Sequence, residues 1–332
     1  GSPVGKRKLV EVRVDTWDGF IFYTMNEDAP DLMEYLNPLP EIYKNHNFKD
    51  QIRAQWVRVE LDVNWKFFCD NFNESYHTRF VHPQVPSVID QDHFTSRYEM
   101  FPGGHARIIQ MGRPSLRDRV PEGEDHPFKM ILEDWGVDTS KYSDYENLSD
   151  QGWLDLKEAK RKNYKEKGYF HYENLSDEEL TESPFQFVFP NIAMGVQADG
   201  CILLNWFPHP TDPEKCFFDL WDMGYPIGGV AKGIGKTGRD DSHEQEFISR
   251  TKVNPVKLQE VELDVRDYDG GKGVEDLWDH VVYQDWQLTD GLRRGVRSRG
   301  YQEPYLAAQE SRVRFFHETL HDYLNDKKVK QS

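Results

Sequence analysis

Apolar and polar residues alternate with period two along Ala54-Gln-Trp-Val-Arg-Val-Glu-Leu-Asp-Val63, the pattern of a half-buried strand. Similar alternation, rich in β-branched and aromatic residues, runs from Lys8 to Thr24 and turns at Asp18-Gly19, predicting a hairpin or two strands. Between them Asp31 to Leu36 predicts a short helix ended by Pro38 and Pro40. Asn64 to Val81 predicts a mostly helical stretch, and Thr95 to Met111 predicts strands interrupted by Pro102-Gly-Gly104. From Arg113 to Glu182 the chain turns polar, with helix-former composition over Trp153 to Lys167. Tyr-Glu-Asn-Leu-Ser-Asp occurs at 145–150 and again at 172–177, but two copies do not make a repeat architecture. This region predicts a surface insertion of helices, serving as a lid, as a subunit contact or as a solvated excursion. Short aromatic and β-branched segments follow at Phe185–Phe189, Ile192–Gln197, Cys201–Phe207 and Cys216–Met223, with turns at Asp199-Gly200 and Asp212-Pro213. They predict an antiparallel meander, and Glu260 to Asp267 adds one more strand. Apolar residues at helical spacing from Val274 to Leu292 predict a helix, and a last helix is predicted from roughly Glu303 to Asn325. An antiparallel sheet wrapped around a long C-terminal helix is an α+β architecture.

One residue breaks the helical stripe of Val274, Leu277, Trp278, Val281, Val282, Leu288 and Leu292. Asp285 falls inside it, while Asp279 and Asp290 fall off it. A stripe faces the core, and an ionised carboxylate there costs several kcal/mol unless it is paired or holds a metal. Arg293 or Arg294 would satisfy it as a salt bridge; a metal would satisfy it as a ligand. Far upstream, Asn71-Phe-Asn-Glu-Ser-Tyr-His-Thr-Arg-Phe-Val-His-Pro83 places His77 and His82 among aromatic residues, with Glu74 three residues before the first. An i, i+5 pair does not share one face of a straight helix, so the helix must bulge or end between them; Pro83 marks the stop. Two imidazoles and one carboxylate make the facial triad of non-haem Fe(II) oxygenases, which leaves coordination positions open. On spacing alone the pair also reads as two ordinary histidines. Asp285, the unexplained acid in a core stripe, favours the metal.

These segments together resemble the catalytic domain of Rieske-type aromatic-ring-hydroxylating oxygenase large subunits. The resemblance rests on Asn71 to Pro83, on Gln284-Asp285, on Phe189-Pro-Asn191, on Pro208 to Lys215 and on Gln309 to His317, over nearly the whole chain. It implies a helix-grip fold, with His77, His82 and Asp285 binding mononuclear iron. It also implies that Glu74 carries electrons across a subunit boundary from a Rieske [2Fe–2S] cluster, in a homotrimer fed by a ferredoxin or reductase. Many members carry Asp at the position of Glu74. Asn71 is expected to hydrogen-bond near the open face of the iron, or to cap its helix. The implied reaction uses O2 to hydroxylate or oxidatively demethylate a hydrophobic small molecule, a ring compound or a quaternary amine.

Composition narrows the partners. The 332 residues suffice for one large domain, and 14% are aromatic, so low hydropathy reflects charge and not lack of core material. A formal net charge of −17 argues against nucleic acid or an anionic membrane as partner. No apolar run approaches the roughly 18 residues of a membrane span. Three cysteines, Cys69, Cys201 and Cys216, fit a reduced cytoplasmic protein. None stands in a C-x-H or C-x-x-H pair, although a Rieske cluster needs two Cys and two His. Residues 1–45, opening Gly-Ser-Pro-Val-Gly, are therefore expected to be a remnant of the segment after a Rieske domain, a natural subunit without a cluster being the alternative, with the iron domain over 46–332 and its insertion at about 113–182.

Two rival functions arise from the same sequence. His317-Glu-Thr-Leu-His321 matches H-E-x-x-H, the motif of a zinc peptidase with Glu318 as general base. No third ligand follows, because Asp322 to Ser332 contains neither His nor Glu. Gly233 to Gly238 only loosely echoes a phosphate-binding loop. A metal-free carrier of hydrophobic ligands would suit the fold too, but has no use for two histidines and an acid.

Overall fold

The structure, a computed structural model, describes residues 11–119, 126–227, 230–231, 260–264 and 277–325. Residues 1–5, the loop Gly233 to Gly238, the start of the helical stripe at Val274 and the predicted strand end at 265–267 lie outside these.

The N-terminal hairpin forms as β1 (Arg13–Trp17) and β2 (Phe20–Thr24), turning at Asp18 and Gly19, both with positive φ. Two one-turn helices follow, α1 (Leu32–Tyr35) and α2 (Leu39–Ile42). Pro38 ends the first as expected, but Pro40 opens the second, because proline's missing N–H costs nothing in a first turn.

The main sheet has eight strands: β3 (Ile52–Leu61), β4 (Arg97–Met100), β5 (Ala106–Met111), β6 (Glu182–Val188), β7 (Ile192–Gln197), β8 (Gly200–Pro208), β9 (Cys216–Gly224) and β12 (Glu260–Asp264). Their order is β12-β3-β9-β8-β7-β6-β5-β4; the short pair β10 (Pro226–Ile227) and β11 (Val230–Ala231) stands apart. The expected meander is present, each of β4 to β9 pairing antiparallel with its neighbour in sequence. One edge differs. β12 runs parallel to β3, with Val261 opposite Val57. Period-two alternation shows which face a side chain takes and says nothing of strand direction, so this pairing was not readable.

Both faces of the sheet are covered, which is why β8 reads as a nearly unbroken apolar run. Ile202 and Leu204 point to one core with Val59, Leu61, Phe187 and Phe218; Cys201 and Leu203 point to another with Trp17, Leu36, Leu39 and Phe48. The first core is closed by the two helices expected near the end of the chain. Val282 and Trp286 come from α7 (Leu277–Val296), and Phe316 comes from α8 (Ser311–Leu324). The second begins later than Glu303, since Pro304 keeps its predecessor out of helical geometry.

Between adjacent strands β5 and β6 the chain builds α5 (Pro127–Asp134) and α6 (Tyr145–Asn163) around a core of their own, including Phe128, Leu132, Trp135 and Leu156. The two hexapeptide copies do equivalent work there. Leu148 and Leu175 enter this core, while Asp150 pairs with Arg113 and Asp177 with Arg161. None of the helices among the described residues is long and apolar enough to cross a membrane.

Beneath the second core, His46 is 3% exposed and stacks on Phe48. Burial holds its pKa down to about 4, against the opposing pull of Glu179. Between pH 6.5 and about 4 the unfolded chain therefore binds a proton that the folded chain refuses. Stability is expected to fall as pH drops through that window. Urea midpoints of His46→Gln should show a flatter pH dependence there than those of the wild type.

Candidate metal centre

The predicted helix over Asn64 to Val81 is broken in two, α3 (Lys66–Phe72) and α4 (Thr78–Val81). Asn73 ends α3: its side-chain amide donates to the Cys69 carbonyl at 2.8 Å, a bond to the turn behind that asparagine readily makes. His77 and His82 bracket the single turn of α4, one at each cap. His82 leaves helical geometry (φ −120°, ψ 64°), and this brings two side chains five residues apart back to one point.

Asp285 meets them from α7. One ligand atom from each of His77, His82 and Asp285 lies within 4.8 Å of the other two, the one such His/Cys/Asp/Glu group among the described residues. Asp285 Oδ1 stands 3.2 Å from His82 Nε2 and 3.7 Å from His77 Nε2. The salt-bridge alternative is not taken: Arg293 and Arg294 both pair with Asp290. The buried stripe of α7 is narrower than expected, running through Val282, Asp285, Trp286 and Thr289, while Leu288 and Leu292 are exposed. At about 100° per residue Leu292 lies only about 20° around the helix from Asp285, so its exposure reflects its place further along the axis and not a different face.

Each imidazole is oriented through its other nitrogen. Glu74, nearly buried, spends both oxygens on His77, one against Nδ1 and one accepting from the backbone N–H at 3.2 Å. Burial works against a charge on His77, but the hydrogen bond and field of Glu74, helped by Asp285, outweigh it and raise the pKa. His82 Nδ1 lies 2.9 Å from Gln284 Oε1, which also accepts from Gln84 Nε2 at 2.8 Å. Asn71 does not cap its helix. Its amide Nδ2 donates to Asp285 Oδ1 at 3.3 Å and lies 3.3 Å from His77 Nε2.

Does this donor set suit a metal? His82 Nε2 is buried without a hydrogen-bond partner, although it faces a carboxylate oxygen. A bare imidazole nitrogen there is costly to bury unless something accepts its lone pair. Two imidazoles and a carboxylate converging on one point are the donors that non-haem iron takes. The residues fit the group.

The H-E-x-x-H histidines belong to no three-ligand group among the described residues. His317 Nε2 is 2.7 Å from Asp70 Oδ1, His321 Nε2 is 3.2 Å from the Asn325 amide, and Glu318 reaches toward Arg314. Replacing both histidines by alanine should leave bound metal unchanged, as measured by elemental analysis of the purified protein. Loss of metal in that double variant would revive the peptidase.

Two features near the centre had escaped the sequence. Gln84 and Gln284 gave no sign of facing each other from opposite parts of the chain. Arg312 is fully buried on α8, its guanidinium 5.9 Å from the Phe72 ring, and burial lowers its pKa to about 9. An arginine on an amphipathic helix ordinarily reads as solvated, so nothing local marked it.

Comparison with known proteins adds an independent line. The family described as ring hydroxylating alpha subunit (catalytic domain) matches residues 48–223 and 240–326. The oxygenase subunit of carnitine monooxygenase from Acinetobacter pittii is 28% identical over 130 residues, 36% of this chain and 33% of that protein. The alpha subunit of 2-aminobenzenesulfonate 2,3-dioxygenase from an Alcaligenes species is 25% identical over 103 residues, 30% of this chain and 26% of that protein. Among solved structures, a quaternary ammonium Rieske monooxygenase with bound inhibitor superposes with a TM-score of 0.52 at 16% identity, over 93% of this chain and 61% of that one. A second structure of such an enzyme, described for carnitine oxidation by gut microbiota and inter-subunit electron transfer, gives 0.51 at 14% identity, over 96% and 62%. The matched region is thus a third or less of the curated relatives' length, and the chain spans about three-fifths of the solved ones. The mixed helix and antiparallel-sheet fold is shared with these structures.

Proposed function

The chain belongs to the ring-hydroxylating alpha-subunit (catalytic domain) family, and on that premise we propose that it binds one Fe(II) through His77, His82 and Asp285 and serves as the oxygenase part of a Rieske-type enzyme. The observation that carries this reading is the convergence of those three ligand atoms within 4.8 Å on otherwise unrelated segments. Iron held there would supply the activation of O2 and the oxidation of an organic substrate.

The chain's own residues do the rest. His77 and His82 present Nε2, each oriented by a partner on Nδ1, a carboxylate for the first and an amide for the second. Asn71 donates to the Asp285 carboxylate and so fixes the third ligand. Phe72, next to Asn71, packs its ring against Phe185 and Trp206, and Trp206 packs against Phe218 in the first core. The substrate would be a hydrophobic ring compound or a quaternary ammonium ion, which aromatic ring faces attract. The family relatives named for carnitine and quaternary ammonium substrates favour the second.

Electrons would come from a Rieske [2Fe–2S] cluster, itself reduced by a ferredoxin or reductase. The cysteines of this chain are all free and buried among the described residues, so the cluster would be held elsewhere. Glu74, hydrogen-bonded to His77, would pass the electron from a cluster in a neighbouring subunit. That arrangement requires a ring of subunits, and a cyclic homotrimer is proposed. Reduced, buried thiols suit the cytoplasm.

The test is anaerobic metal titration of the purified chain, with Fe(II) and Zn(II) in parallel. One Fe(II) per chain, lost in His77→Ala and His82→Ala, supports the oxygenase. Zinc lost on mutation of His317 and His321 would support the peptidase, and no metal at all would leave the carrier.

A further inference from the structure

The two imidazoles at the centre are held differently. His77 leans on an anionic acceptor, Glu74, contributed by the loop that precedes it. His82 leans on a neutral one, Gln284, contributed by a helix more than two hundred residues away in sequence. We propose that Gln84 and Gln284 form an amide clamp that sets the tautomer of His82 and locks it to the helix carrying Asp285. Both glutamines are positioning residues; neither touches the metal position. The proposal rests on the metal centre described above.

The geometry supplies the argument. A neutral imidazole carries one N–H, and the hydrogen bond made by one nitrogen decides which nitrogen keeps a lone pair. Gln284 Oε1 sits 2.9 Å from His82 Nδ1, so Nδ1 carries the proton and Nε2 is left bare. That same oxygen receives Gln84 Nε2 at 2.8 Å. With Gln84 donating, a carbonyl accepting two N–H donors keeps its orientation, since turning the Gln284 amide alone would bring donor against donor. The unpartnered Nε2 of His82, 2% exposed and 3.2 Å from Asp285 Oδ1, is the result.

Sequence adjacency extends the effect. Gln284 precedes Asp285, so the bond that orients one ligand also fixes the rotational position of the helix that delivers another. Gln84 lies two residues after His82, beyond Pro83, so the clamp closes a short loop around the second ligand. Outer partners of metal-bound histidines typically change metal affinity by about 10–100-fold when removed.

Two measurements test this. In the metal-free wild type, ring-¹⁵N-labelled histidine spectra at pH 8 should show His82 as the Nδ1–H tautomer; finding Nε2–H overturns the clamp without any reference to metal. In Co(II) titrations followed by visible absorption, Gln284→Leu should weaken binding by about 10–100-fold and Gln84→Leu by less. Gln284→Glu, which keeps an acceptor on Nδ1, should restore binding. Wild-type affinity in Gln284→Leu overturns the proposal, whereas failure of the wild type itself to bind Co(II) overturns the metal centre and leaves the tautomer measurement to decide the clamp. A Gln284→Leu protein that does not fold leaves the decision to the wild-type tautomer and to Gln284→Glu.

Discussion

Asp285→Ala is expected to lose Fe(II) binding almost completely while the metal-free protein stays as stable as the wild type or gains stability. The two halves of this expectation come from one fact. Asp285 is 9% exposed and its carboxylate oxygen is surrounded by His82 Nε2, His77 Nε2 and the Asn71 amide, with no arginine or lysine among the described residues paired to it. Removing a ligand leaves two imidazoles, and affinity should fall by more than the ~10–100-fold typical of losing an outer partner. Without metal, the carboxylate is a buried charge whose hydrogen bond among the described residues is one 3.3 Å amide contact, so its loss removes a cost. An arginine-paired aspartate would behave in the opposite way: stranding the arginine would cost roughly 3–5 kcal/mol, with iron unchanged. Metal content and thermal melts of the apo variant, measured on one preparation, separate the two. A destabilised variant that keeps its iron would end the metal-centre reading.

How much of this was legible follows from which signals are local. Asp285 could be singled out because an acid inside an apolar stripe contradicts its surroundings, and His77 and His82 only together with it, since on spacing alone they read as ordinary histidines. The strands of the meander were legible for the same reason: alternation and turn residues act over a few positions. What failed needed long-range information. The parallel edge of β12 and the exposure of Leu288 and Leu292 depend on where other elements stand. The outer partners of the ligands form a mixed case. Glu74 lies three residues before its histidine and could be suspected from spacing, whereas Gln84 and Gln284 meet across the fold and left no trace in either segment. Arg312 shows the limit most clearly, as a cation that helix periodicity assigns to solvent and packing places in the interior.

Glu74 gives the other large effect, because it is asked to do two jobs that substitution can separate. Its carboxylate orients His77 through Nδ1 and through the backbone N–H, and on the proposed function it also carries the electron from the neighbouring cluster. Glu74→Ala removes both acceptors at once. Fe(II) affinity should then fall by about 10–100-fold, and turnover of the cluster-bearing enzyme should fall with it. Glu74→Gln keeps a carbonyl oxygen of the same reach, so His77 retains an Nδ1 acceptor and iron should be retained. Its neutral amide offers no anionic contact to a partner across the subunit boundary, and the rate at which a reduced cluster delivers electrons to the iron should drop even in iron-replete protein. Single-turnover kinetics with prereduced enzyme, normalised to iron content, read the second job without the first. Wild-type electron delivery in iron-replete Glu74→Gln would show that the carboxylate only orients His77, and the inter-subunit path would then have to run through another residue.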